Sequence, residues 1–443
     1  MSAPIRLSNL CVIAILLWMP NVHAMTVEDL AAQFESYKQQ QAAEFDKIRS
    51  ENEQLKAQNR QLTVELTKTQ DQVDNNTLAV ETVGDSIEGA GQASSWADKT
   101  SIGGYGELHY NNRSTQSTSA VDENGDRIEP GDHQEEVDFH RFVLFFEHEF
   151  TDDLRFFSEL ELEHAVSGDG KNGEVELEQA YIEYDFTESS SARAGLFLLP
   201  VGILNETHEP NTFYGVERND VESRIIPSTW WEAGVSGTMR FDNGLSFDAS
   251  ITSGLDIDTS GDKAFSIRSG RQKVSEAKAN DPIIGARVKY TGLPGLELAG
   301  SVLHQTDLGQ SDSGEDVGAG TLFSAHAIYS HAIGPGTFTG KALYAQWLID
   351  VESDIFEDAD NQLGYYFEPS YRMPTSIGDI GIYGRYQYVD YFNGSAREYD
   401  IWEAGANWWI HDNVVVKADF IFKDRKKGFG DESGFDLGLG YQF

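Results

Sequence analysis

DFHRFVLFFEHEFTDDLRFFSELELE, residues 138–163, alternates in character along most of its length. Taken two apart, Asp138, His140, Phe142, Leu144 and Phe146 form one row, and Phe139, Arg141, Val143, Phe145 and Glu147 the other. Beyond Thr151-Asp152-Asp153, Phe156, Ser158, Leu160 and Leu162 oppose Arg155, Phe157, Glu159, Glu161 and Glu163. Successive strand residues point to opposite faces, so the pattern specifies paired strands with one apolar and one charged side.

The same period recurs in sixteen segments, near 100–110, 136–150, 153–166, 174–187, 190–199, 229–241, 244–254, 282–292, 294–305, 320–333, 336–349, 361–373, 377–390, 399–411, 413–423 and 433–443. Short connections such as Asp242-Asn243-Gly244, Gly334-Pro335-Gly336 and His411-Asp412-Asn413 alternate with long ones at 111–135, 200–228, 255–281, 306–319, 350–360 and 424–432. An even strand count with short turns on one side and long loops on the other predicts an all-β transmembrane barrel of about 16 antiparallel strands over residues 100–443. No stretch after residue 24 is apolar for 18 residues, which excludes a helical membrane protein. In a barrel only every second strand residue must be apolar, which reconciles a negative mean hydropathy with 42 glycines and 12% aromatics. Aromatics near strand ends, Trp230, Trp231, Trp347, Tyr365, Tyr366, Tyr386, Tyr388, Tyr391, Trp402, Trp408 and Trp409, suit the two membrane interfaces. The last strand places Phe435, Leu437, Leu439, Tyr441 and the terminal Phe443 on one face. It resembles the C-terminal recognition signal of outer-membrane barrel proteins.

Residues 1–24 read as a secretory signal: Arg6, an apolar run from Leu10 to Met19, Pro20, and small residues before a cleavage site after Ala24. The single cysteine, Cys11, lies inside it, so the mature chain has no disulfide and no thiolate metal site. Residues 25–83 are rich in Gln, Glu, Lys and Ala. Their heptads run Phe45, Asn52, Asn59, Leu66, Val73, Val80 and Ile48, Leu55, Leu62, Thr69, Asn76, Val83, which predicts an α-helical coiled coil. Asparagine at core positions fixes register and strand number at some cost in stability. Residues 84–99, with Gly84, Gly89 and Gly91, read as a linker.

The net charge is −40, and residues 100–443 hold 25 basic against 59 acidic side chains. Nucleic-acid binding is excluded by that sign. A carboxylate-rich pore attracts cations. Loop 200–228 mixes apolar residues with charges, which predicts a loop folded into the lumen as a constriction. Its candidate constriction residues are Glu206, Glu209, Glu217, Arg218, Asp220, Glu222 and Arg224, five carboxylates to two arginines. Alternation places Glu107, Arg141, Glu147, Arg155, Glu159, Glu161, Glu183 and Arg193 on the pore wall, with Glu403, Lys417 and Asp419. His133, His140, His148 and His164 stand among carboxylates, permissive for a weak divalent-metal site. No helical His-x-x-x-His or His-Glu-x-x-His spacing supports one, and no metal, cofactor or catalytic residue is assigned.

Ala194-Gly195, Pro200-Val201-Gly202, Glu217-Arg218, Pro227 and Gly234, with Gly103-Gly104-Tyr105-Gly106, resemble the phosphate-selective porin O/P family and its relatives. The resemblance implies a sixteen-stranded trimeric porin whose third loop folds inward. A coiled coil ahead of such a barrel resembles dicarboxylate-channel-like porins. Phosphate-selective members use a ladder of basic residues, from which this acidic barrel departs. The expected protein is therefore a homotrimeric, cation-preferring channel for small hydrophilic solutes or ions. It sits in outer-membrane lipid, with the coil in the periplasm in reach of the cell wall. The competing readings are an anion-selective porin, a structural or adhesive barrel, and a barrel enzyme.

Overall fold

A computed structural model describes residues 31–32, 34–38, 56, 96–115, 133–168, 170–261, 263–310, 317–351, 359–391, 397–426 and 431–443. The signal segment and most of the coiled coil lie outside the described residues; residues 31–32, 34–38 and Lys56 are helical.

After one tight helical turn at Trp96–Lys99 come sixteen strands: β1 (Thr100–Thr115), β2 (His133–Glu149), β3 (Leu154–Glu163), β4 (Val175–Thr187), β5 (Ser190–Leu198), β6 (Trp231–Arg240), β7 (Leu245–Thr252), β8 (Ile283–Leu293), β9 (Leu296–Gln305), β10 (Val317–Ile333), β11 (Gly336–Val351), β12 (Asn361–Thr375), β13 (Gly378–Asp390), β14 (Glu398–His411), β15 (Val414–Arg425) and β16 (Glu432–Gln442). Each pairs antiparallel with its chain neighbours, and β16 pairs with β1, closing the barrel. Closure leaves no unpaired edge, as a membrane-spanning sheet requires. Every predicted strand is present, within a few residues of its expected ends.

Alternation sorts the side chains. In β14, Trp402 is 59% exposed on the outer face while its neighbour Glu403 is buried inside. Leu144, Ile382, Phe420 and Leu437 share the outer face, where lipid would meet them. The expected aromatic belt splits by the same rule. Tyr365, Trp402 and Trp408 face outward, whereas Trp230, Trp231, Trp347, Tyr366, Tyr391 and Trp409 are buried within. Adjacent residues such as Trp408 and Trp409 cannot share a face. The inner aromatics find apolar partners because loops fill the lumen.

The seam is tied at the last residue. Phe443 and Gly104 exchange both backbone hydrogen bonds, at 2.9 and 3.0 Å, and Phe443 stacks near Phe142 with ring centroids 6.2 Å apart. A Cβ on Gly104 would meet the Val143 carbonyl oxygen at 2.2 Å, so only glycine fits there. Phe443→Asp should therefore lower the yield of assembled outer-membrane protein severalfold, read by surface biotinylation of intact cells. Normal surface levels would remove the C-terminal residue from the assembly signal.

Candidate functional site: the loop-filled lumen

The connection from β5 to β6, residues 199–230, folds into the barrel as its sequence predicts. Its two ends are clamped by Asn205, whose Nδ2 donates to the carbonyls of Leu199 (2.7 Å) and Trp230 (3.2 Å) while its Oδ1 accepts from Trp230 N (2.6 Å). Inside the loop, the buried Glu222 carboxylate accepts from Ile203 N (2.5 Å), Leu204 N (2.7 Å), Asn219 Nδ2 (3.1 Å) and Tyr366 Oη (2.9 Å). Val221, Ile225, Ile226 and Trp230 are fully buried in the cluster that also holds Trp347 and Tyr366. Trp347 Nε1 donates to the Ile225 carbonyl at 2.9 Å.

The wall grips the loop on many sides. Ser301 of β9 donates to Pro200 O (3.1 Å), Arg385 of β13 to Tyr214 O (2.6 Å) and Lys417 of β15 to Gly215 O (2.9 Å). Val216 N donates to Asp419 Oδ2 at 2.7 Å. Glycine makes room: a Cβ on Gly440 would lie 2.4 Å from Pro210 Cβ, and one on Gly381 2.3 Å from Tyr214 Oη. Lumen-facing glycines thus mark where loop meets wall.

The loop carboxylates do not form the expected ring of unpaired charge. Glu206 is ion-paired with Arg287 of β8. Glu217 lies 3.0 Å from His109 and accepts from Asn111 (3.1 Å). Both nitrogens of His109 face carboxylates, Glu217 and Glu107, which only an imidazolium satisfies. Asp220 pairs with Lys423 at 3.0 Å and accepts from Tyr399 at 2.8 Å. Burial disfavours charge on Asp220 and Glu217. For Asp220, Lys423 and Arg224 outweigh it; for Glu217, His109 does, and both carboxyls are held well below the usual range. Glu222 is spent on backbone N–H groups, and Glu209 is half-buried. Arg218 Nη2 donates to His208 O at 3.4 Å. The sequence count of five against two missed these partners because they lie on distant strands.

The predicted wall residues have partners close by on the wall. Arg141 stands between Glu107 (4.0 Å) and Glu161 (3.7 Å), and Glu159 is buried in the same wall of β1 to β3. Arg155 is paired with Glu183 and Asp185, Arg193 lies over the rings of Tyr181 and Phe197, and Glu147 accepts from Ser101 at 3.2 Å. Glu403 joins Glu368 in flanking Arg385, at 3.0 and 2.7 Å.

A second loop was missed. Residues 253–282 carry Leu255, Ile257, Phe265 and Ile267 into the buried core. Arg271 Nη1 donates to the carbonyls of Ser228 and Thr229, both at 3.0 Å, Gln362 to Phe265 O (2.7 Å) and Arg397 to Ala264 O (2.8 Å). Those four apolar residues were the available signal. Where the two loops meet, a cavity of about 360 Å³ is lined by Arg224, Lys263, Arg268, Arg271, Lys273 and Arg397, with Glu174, Ser266, Ser269 and Tyr391. Hydrogen bonding to Glu176 and Lys273 holds the Glu174 carboxyl down at about 2, so it remains a carboxylate beside Lys273. In so acidic a chain this is a concentrated patch of opposite sign.

No known family profile matches the chain. Its fold is similar to the outer membrane channel DcaP of Acinetobacter baumannii, with a TM-score of 0.50 at 13% identity, covering 78% of this chain and 97% of that one. Salmonella typhi OmpF aligns with a TM-score of 0.49 at 15% identity, over 78% and 97%. The first likeness supports the porin-type barrel as a fold. In sequence, an uncharacterised protein of Aquifex aeolicus (strain VF5) is 30% identical over 352 residues, 74% of this chain and 76% of that protein. Matched over that share of both chains, the protein belongs to the same family as its Aquifex aeolicus relative.

Proposed function

We propose that the protein is an outer-membrane porin, a passive route for small hydrophilic solutes, narrowed by loop 200–228. One observation carries the reading: a closed barrel, apolar outside, holds a folded loop inside by polar contacts to its wall. The similar DcaP structure is of an outer membrane channel, which is consistent with it. A homotrimer fits the heptads of residues 25–83, and the coil then lies in the periplasm within reach of the cell wall. Reconstitution into planar bilayers should give discrete, ohmic single-channel steps, smaller than those of a sixteen-stranded barrel without an inward loop. Silent bilayers would sink the channel and favour a plugged, structural barrel.

Cation preference follows from the field of a chain with net charge −40. The pairing of Glu206 with Arg287, Glu217 with His109 and Asp220 with Lys423 weakens the loop as its source. A second reading, anion preference, is favoured by the basic cavity between the loops. Lys263→Gln with Arg268→Gln should move the reversal potential toward the cation side. The move should be larger near 0.1 M salt than near 1 M, where the screening length falls from about 10 to about 3 Å. An unmoved potential at low salt would place the cavity off the permeation path.

A further inference from the structure

A bulge in β4 creates a site at the foot of the lumen loop. Glu159 pairs with Gln179 and Leu160 with Leu177, so Glu178 is the extra residue between them. A bulge re-aims a side chain, and here the successive residues Glu178 and Gln179 are both buried on the inner side. Gln179 donates to Glu159 Oε2 at 2.7 Å. Glu178 turns to His208 of the loop: His208 Nε2 lies 3.9 Å from Glu178 Oε2 and 3.2 Å from Glu159 Oε1. No side chain of the three is more than 4% exposed. Glu178 Oε2 and His208 Nδ1 have no hydrogen-bond partner, and an unmade bond at a buried polar atom is costly.

Charge adds a second argument. Burial acts most strongly on Glu178, and the carboxyl groups of Glu161 and Glu159 come next, followed by Arg218 and Arg141. With Glu178 itself, three carboxyl groups and two guanidiniums crowd one buried stretch of wall. Buried carboxylates of this kind are stabilised by pairing or by a metal ion.

The geometry points to a divalent transition-metal site, of the zinc class, formed by Glu159, Glu178 and His208. The three ligand atoms lie within 4.8 Å of one another. Metal–ligand lengths of about 2.1 Å put tetrahedral ligands about 3.4 Å apart, and the observed 3.2 and 3.9 Å straddle that spacing. An imidazole with two carboxylates favours zinc or manganese over magnesium or calcium, which prefer all-oxygen sets. The ion ties His208 of the loop to the adjacent wall strands β3 and β4, and so pins the loop to the wall at that point.

The test is calorimetric titration of zinc chloride into the full-length, detergent-solubilised protein after EDTA treatment. About one ion should bind per chain. Glu178→Gln and His208→Ala should each weaken binding at least about tenfold. His164→Ala, which disrupts the separate cluster of Asp138, His140 and His164, should leave it unchanged. Cobalt(II) added to the wild type should give the visible absorption of a four-coordinate site, a readout that stands even if a variant fails to fold. Absence of zinc heat, undiminished affinity in Glu178→Gln, loss in His164→Ala, or no cobalt band would each overturn the assignment.

Discussion

Glu222→Ala is expected to raise single-channel conductance severalfold and to make the current noisy. One buried carboxylate gathers two backbone N–H groups, Asn219 and Tyr366, and so joins the start of the loop, its end and the wall strand β12. Hydrogen bonds to a charged group contribute about 1.5–3 kcal/mol each, and the donors left behind are buried and unpaired. Alanine therefore removes enough to free the Ile203–Glu222 turn from β12 without touching the barrel ladder. Water then enters beneath Val221 and Ile225, and the passage widens. Glu222→Gln, which keeps one acceptor, should fall between. Unchanged conductance in both variants would mean that the loop is held by its apolar face alone.

Arg385→Ala should cost the largest stability of any wall substitution, about 3–5 kcal/mol, the range for uncovering a buried charge. The guanidinium is 3% exposed. It donates to Glu368 (2.7 Å), Glu403 (3.0 Å) and the Tyr214 carbonyl (2.6 Å), so its loss strands two carboxylates and one loop carbonyl together. The measurement is the urea midpoint of the detergent-folded barrel, followed by tryptophan fluorescence. Adding Glu368→Gln and Glu403→Gln to Arg385→Ala should recover most of the loss, because the destabilisation comes from unpaired charge rather than from lost packing. A triple variant as weak as the single one would shift the cause to the Tyr214 contact.

The barrel was legible because its rule is local. A period of two, punctuated by Asp-Asn-Gly and Gly-Pro-Gly turns, can be read without knowing what lies opposite. The inward loop was legible for a similar reason: Val201, Ile203, Val221 and Ile225 are too apolar for a loop in water. Its electrostatics were not legible. Arg287, His109 and Lys423 sit on strands far along the chain from Glu206, Glu217 and Asp220, so a count within one segment cannot find them. Nor does alternation foretell the bulge that turns Glu178 inward, since a bulge is a break in the period. Leu255, Ile257, Phe265 and Ile267 carried the same apolar signal as the first loop, diluted by the serines and charges between them.

The seam has a consequence for how the chain reaches its final state. Asn111 donates to Asp436 across 325 residues of sequence, and Gly104 meets the terminal Phe443. Contacts so distant are slow to form, because the entropy of closing the long intervening chain must be overcome before they contribute. Until β16 reaches β1, both are open edges, each able to recruit a strand from another chain. A chain lacking β16 would therefore be not a smaller channel but an open sheet with two exposed edges. The cell must escort it or destroy it.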